Sequence, residues 1–210
     1  MDRRTELTAK ALDHVLTHGL IGLSLRPLAA ALGTSDRMLI YHFGSKDGLI
    51  TAVLALANQR FAASFQSMAK GAPPARSPDE FVRYAWRVLA GSAATGAIRL
   101  YLEMCVLTLR EPERWSTAQQ QIREPWLAML RETLTDLNTP QAQVPALADL
   151  ILDTLDGLLL DRLISTDPAR ADDAADAFAD LLRGFRNGDV GYWSPLNASG
   201  DQALRPCSGR

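Results

Sequence analysis

Cysteine and histidine are scarce in this chain, two and three among 210 residues. Cys105 lies in an apolar run and Cys207 in the C-terminal tail, a spacing that supplies neither a metal site nor a disulfide framework and fits a reducing compartment. His14, His18 and His42 all fall in the first fifty residues, so a helical di-metal enzyme finds no Glu-x-x-His pairs elsewhere. There is no G-x-S-x-G nucleophile turn. Period-2 alternation is missing, as are Asn-Gly or Asp-Gly turns between β-branched runs, which excludes a sheet-based fold. The apolar run LLLDRLI is broken by charge before it could span a bilayer, and the start, MDRRTELTAKALDHVL, lacks the apolar stretch of a signal peptide. These absences point to a cytoplasmic helical protein with no membrane partner, no metal and no cofactor. The formal net charge is −2, so bulk electrostatics do not draw the molecule to a polyanion. Any nucleic-acid contact has to come from a local patch. Residues 1–50 hold six Lys or Arg against five Asp or Glu, a local balance of +1.

What is present is helical periodicity almost throughout. Leu7, Ala11, Val15 and Leu16 mark a first helix that closes at Gly19. Ser45 is placed to cap a long helix carrying Leu49, Val53, Ala57, Phe61, Phe65 and Met68. Ser77-Pro78-Asp79-Glu80 reads as a capping box with proline at N1. The run AIRLYLEMCVLTL is apolar on nearly every face and predicts a helix in the middle of a bundle. A further helix from Trp115 to Leu137 is expected to kink or break at Pro125, and Pro140 and Pro145 bound a loop. The last two helices, 146–165 and 169–185, are joined by Thr166-Asp167-Pro168 and read as an antiparallel pair. The expected organisation is all-α: an N-terminal three-helix domain with a helix-turn-helix over 1–48, a helical bundle over 49–187 and a disordered tail over 188–210.

Residues 24–49, SLRPLAAALGTSDRMLIYHFGSKDGL, carry the most specific pattern. Leu25, Leu28, Ala29 and Leu32 sit at helical spacing, Gly33 ends that helix, and Leu39 and Phe43 resume the apolar register beyond the turn. Two plain helices of a bundle would show the same apolar spacing. The polar side tips the reading, because Ser35, Asp36, Arg37, Tyr41 and His42 stand away from Leu39 and Phe43 on a face able to meet phosphates and base edges.

With its Leu-Gly turn, Tyr-His-Phe and following Ser-Lys, this segment resembles the DNA-binding domain of the tetracycline-repressor (TetR/AcrR) family, strongly over about the first fifty residues. The resemblance implies a homodimeric, ligand-responsive repressor on a pseudo-palindromic operator in double-stranded DNA. Carried over residue by residue, it makes Ser24 and Arg26 phosphate and base-edge contacts. Thr34, Ser35, Asp36, Arg37 and Met38 fall at the base-reading end of the recognition helix, and Tyr41, His42 and Lys46 on its phosphate side. Two departures stand out. Pro27 occupies the place of the acidic capping-box residue, and Arg37 and Met38 replace the small residues that commonly open the recognition helix, so operator preference is not inherited.

For the bundle, the family implies an unidentified small-molecule effector. Aromatic and polar groups on central helices nominate Trp86, Arg99, Tyr101, Glu103, Met104 and Trp126, with core packing as the alternative for each aromatic. Arg99 and Glu103, four apart, would pair with each other at the surface or meet a ligand if buried. Asp149, Asp153 and Asp156 form an acidic stripe, solvated or facing a cationic or hydrogen-bonding ligand. Leu155, Leu158, Leu159, Phe178, Leu182 and Phe185 are the expected dimer interface, with intrachain core as the alternative. The competing functions are a helical protein-interaction adaptor and an all-α enzyme, either with the helix-turn-helix as scaffold.

Overall fold

The computed structural model describes residues 2–187, so the expected tail lies outside the described residues, as does the Phe185 side chain. Among the described residues there are nine helices and no strand: α1 (Arg3–His18), α2 (Leu25–Ala31), α3 (Asp36–Phe43), α4 (Lys46–Lys70), α5 (Pro78–Leu89), α6 (Thr95–Arg110), α7 (Pro112–Asp136), α8 (Val144–Ile164) and α9 (Ala169–Asn187). Helix α4 is the spine. Its 25 residues extend about 38 Å at the α-helical rise, long enough to serve two cores. Its first half joins α1–α3 through Leu49, Ile50, Val53 and Leu54, and that core continues into α6 and α7 through Leu100, Met104, Trp115 and Ile122. Its second half enters a separate core through Phe65, with α5, α7, α8 and α9 closing around Leu130, Leu134, Ile151 and Leu155.

Helix ends follow local chemistry. Gly33 at φ 67° lets the Thr34 N–H reach the Ala29 carbonyl (2.9 Å) while its own N–H meets that of Ala30 (3.2 Å), a Schellman closure. Asn138 at φ 59° ends α7 in the same way. Ser45 caps α4 as expected, its Oγ accepting from the Gly48 N–H at 3.0 Å. Ser77 departs from the capping-box expectation. It is buried and caps no N–H, while Glu80 accepts from the Arg76 N–H at 2.8 Å, so the carboxylate holds the residue before the cap.

Three other expectations are corrected. Of the expected kink or break at Pro125, the break does not occur: α7 continues as one helix, because its flanks Ile122, Leu127 and Leu130 are buried and tertiary packing outweighs the lost ladder bond; the Asn58 amide also donates to the Ile122 carbonyl at 3.4 Å. Pro145 lies within the first turn of α8, where a missing N–H costs nothing, and bounds no loop. Helix α6 is not enclosed on every face. It packs on α1, α4, α7 and α8, leaving Val106 and Leu109 exposed, the latter 83%.

Candidate nucleic-acid interface and effector cavity

In the helix-turn-helix, Leu28, Ala29, Leu32, Leu39 and Phe43 are buried, and their burial fixes which side of α3 faces outward. Ser24, Arg26, Ser35, Asp36, Arg37, Met38 and Tyr41 are exposed, Tyr41 to 79%, whereas Thr34, His42 and Lys46 are partly buried. Two side chains are already committed to the helix itself. Ser35 Oγ accepts from the Met38 N–H at 3.2 Å, and Asp36 Oδ1 accepts from the Arg37 N–H at 2.9 Å, so both stabilise the positive N-terminus of α3. Arg37 then stands clear of its acidic neighbour. His42 Nε2 is enclosed without a partner and its ring meets Tyr41 edge-on at 5.2 Å, leaving Tyr41 as the fully presented member of the pair.

Sequence reasoning missed three features of this face. Ile40 is 41% exposed beside Met38, apolar surface suited to a thymine methyl, and its departure from the Leu39–Phe43 register was the available signal. Arg4, from α1, lies 5.6 Å over the Phe43 ring and brings a cation to the end of α3. The third is Arg114 at the start of α7, whose Nε and Nη2 reach both carboxylate oxygens of Asp47 at 2.7 and 2.6 Å. That fork holds the Asp47 carboxyl below the usual range and pairs an acid that stands beside Lys46, while Nη1 of the same guanidinium meets Glu111.

The six nominated effector residues separate. Tyr101 and Trp126 line a cavity of about 80 Å³ enclosed by α4, α6, α7 and α8. Trp86 is buried away from it and donates to Asp172 at 2.9 Å, Met104 is fully buried in the core under α1, and Arg99 is exposed. Glu103 makes no pair with Arg99. It turns toward the DNA-reading domain, where its Oε2 accepts from the backbone N–H groups of Leu20 and, at 3.1 Å, Ile21. Those amides follow the end of α1 and have no intrahelical acceptor, so a carboxylate from α6 is favoured over the exposed pair.

The acidic stripe has a partner that the sequence did not reveal. Arg123 on α7 lies 2.7 Å from Asp153 and 3.8 Å from both Asp149 and Asp156. Burial works against the Arg123 charge, but the hydrogen bond and charge of Asp153 outweigh it and raise its pKa. Asp156 faces the cavity and accepts from the Tyr101 hydroxyl at 2.8 Å. Burial pushes the Asp156 carboxyl up to about 6, against the lowering influence of Tyr101 and Arg123; burial and the Asp156 charge push the Tyr101 hydroxyl up as well, which keeps it a donor. Across the cavity the Trp126 indole donates to Asn58 Oδ1 at 2.7 Å. Asn58, Phe61 and Arg123 are thus cavity residues that spacing alone did not single out, because they come from two different helices, whereas Asp156 belongs to the acidic stripe that spacing did mark.

Burial corrects three of the expected dimer residues. Leu155, Leu159 and Leu182 are at most 4% exposed in the protein's own core, Leu155 and Leu159 also lining the cavity, and Leu158 and Phe178 pack partly buried against that core. The outward apolar residues of α8 and α9 are instead Leu150, Leu160, Leu163, Ile164 and Leu181.

Residues 7–53 match the family described as bacterial regulatory proteins, tetR family. No protein of curated function matches the chain by sequence. Among solved structures, a TetR-family transcriptional regulator from Cytophaga hutchinsonii superposes with a TM-score of 0.72 at 14% identity, covering 86% of this chain and 93% of that one. A transcriptional regulator from Rhodococcus sp. Rha1 gives 0.69 at 20%, covering 86% and 96%. The multidrug binding protein EbrR, complexed with imidazole, gives 0.62 at 27%, covering 87% and 95%. With the family match spanning a recognition helix capped and presented in this way, residues 7–53 carry a DNA-binding domain of the tetR family of bacterial regulators, on a helical fold shared with solved transcriptional regulators, and the protein is a DNA-binding transcriptional regulator.

Proposed function

We propose that the protein is a ligand-responsive homodimeric repressor, with residues 1–48 as its DNA-reading head and 49–187 as its effector and dimerisation body. It acts in the cytoplasm, where its operator lies. One observation carries the reading: α6 holds Tyr101 in the cavity wall and, two residues on, Glu103 on the backbone of the head. A cavity of about 80 Å³ is well short of the roughly 300 Å³ or more of an ordinary ligand site, so an effector has to part the helices around it. Movement of α6 then loosens the Glu103 contacts and favours a head spacing that fits the operator less well, which is the differential affinity a switch requires. The EbrR likeness supports this reading, since that protein is a multidrug binding protein seen complexed with imidazole and with proflavin. The dimer face is Leu150, Leu160, Ile164 and Leu181, apolar residues left exposed along α8 and α9.

The test begins with selection of an operator from a random duplex pool, expected to yield a pseudo-palindrome with half-sites about one helical turn or more apart. On that operator Lys46→Ala should weaken binding to all sequences and reduce the salt slope by about one unit, while Arg37→Ala should relax specificity at one base step. Retention of DNA binding unchanged in both variants would overturn this arrangement of the interface and favour the adaptor reading, with the helix-turn-helix as scaffold.

A further inference from the structure

We infer that the cavity takes an organic cation with an aromatic body, its charge met by the Asp156 carboxylate. The inference rests on the reading of the cavity as the effector site and adds the chemistry of what enters it. Asp156 is the one acid in a wall that also holds Arg123 and Asn58 and is otherwise built from Leu, Ile, Ala and aromatic side chains. The groups facing it are Tyr101 and Cys105 from α6, Arg123 from α7, and Asp153 on its own helix. Asn58, across the cavity on α4, carries no charge. A single guanidinium serves Asp149, Asp153 and Asp156, leaving two negative charges unmatched in the cluster. Arg123 is not shared evenly. It sits 2.7 Å from Asp153 and 3.8 Å from Asp156, so a cation can take Asp156 without stripping Arg123 of its partner.

The hydrogen-bonding capacity of the wall points the same way. The Tyr101 hydroxyl donates to Asp156 and the Trp126 indole to Asn58, so these two donors are spent. Arg123 is held closest by Asp153, and although it keeps further N–H groups, an anion would meet three carboxylates around that one cation. Asp156 keeps acceptor capacity, since one carboxylate has room for several donors. Phe61 and Trp126, with ring centroids 5.5 Å apart, offer aromatic faces for a flat, positively charged body. A purely structural cross-link between α6, α7 and α8 would use the same contacts but would not discriminate between ligands by charge.

Calorimetric titration of the full chain with three flat aromatic probes separates these roles: proflavin, a cation; acridine, uncharged at neutral pH; and anilinonaphthalene sulfonate, an anion. Proflavin should bind about tenfold or more tightly than acridine, the anion more weakly still, and Ala97→Trp at the cavity wall should abolish the binding. Asp156→Asn should remove the preference for proflavin while leaving acridine unchanged. Arg123→Gln, which frees Asp156 further, should tighten proflavin alone and serves as a second, independent arm. Equal binding of proflavin and acridine, indifferent to both substitutions yet blocked by Ala97→Trp, overturns the charge assignment and leaves the cavity reading standing. Dye binding that survives Ala97→Trp overturns the cavity reading itself, and absence of any proflavin binding overturns the inference.

Discussion

At the scale of single residues, the decisive positions are those where one atom more or less changes the contact. A Cβ on Gly48 would lie 2.2 Å from the Phe43 carbonyl oxygen, because α4 starts hard against the end of α3. Backbone cannot yield there as a flexible side chain could. Gly48→Ala should therefore destabilise the protein by about 1–3 kcal/mol, read as a lower denaturant midpoint, and weaken operator binding through displaced Lys46. An unchanged midpoint would show that the α3–α4 junction relaxes freely. Caps behave less uniformly. Ser35 and Ser45 both accept the N–H three residues on, whereas Ser77, in a sequence with a stronger cap signature, does not. Asp79 accounts for the difference, since it is buried at 3% exposure with Arg183 of α9 on its Oδ2 at 3.1 Å, and a long-range ion pair sets the local geometry in place of the cap.

At the scale of elements, α6 and α7 each tie the helical bundle to the helix-turn-helix unit, the head, α6 through Glu103 and α7 through Arg114. These ties differ in kind. Arg114 and Asp47 are both more than a third exposed and screened by solvent, while the Leu20 N–H is enclosed in a buried residue and has no intrahelical acceptor. Glu103→Ala should cost about 1–3 kcal/mol and raise amide exchange at Leu20 and Ile21 above that of neighbouring loop amides. Glu103→Gln, which keeps an acceptor, should restore most of that protection. Unaltered exchange in Glu103→Ala would remove the latch. Gly19 gives an independent check, because its φ of 84° and a would-be Cβ 2.9 Å from Glu103 Oε1 make Gly19→Ala perturb the same contact from the opposite side.

At the scale of the whole molecule, Asp156 links the cavity to stability. Its carboxyl is raised from 3.8 to about 6 in the folded state, so ionisation opposes folding: the penalty is absent below the unfolded value, grows between the two and is complete above the folded one. Asp156→Asn should accordingly raise thermal stability at neutral pH, by about 3 kcal/mol, with the gain fading as pH falls toward 4. A gain that is the same at both pH values would mean that packing, not ionisation, is responsible. Assembly is the other whole-molecule property. Leu160→Asp combined with Ile164→Asp places charge on exposed positions of α8 and should convert a dimer to a monomer in sedimentation equilibrium without unfolding it. A dimer that survives moves the interface elsewhere.

The head was legible in the linear chain because its determinants are local. Apolar spacing from Leu25 to Phe43, Gly33 at the turn and Ser45 at a helix start act within a few residues of one another, and the exposed face of α3 follows from them. Burial in the bundle was not legible in the same way. Leu155 and Leu160 differ little as sequence, yet one is core and the other surface, because α8 is apolar on both sides and only its neighbours decide which side is covered. Polar partners were hidden for the same reason: Arg123 with Asp153, Glu103 with Leu20 and Ile21, and Arg114 with Asp47 are each separated by tens of residues. Sequence alone determined the helical class and the DNA-reading unit, through short-range periodicity and capping. Tertiary structure alone decided which acid faces the cavity, which carboxylate holds the head and which leucines remain for a partner, since those depend on contacts that form only when distant helices pack.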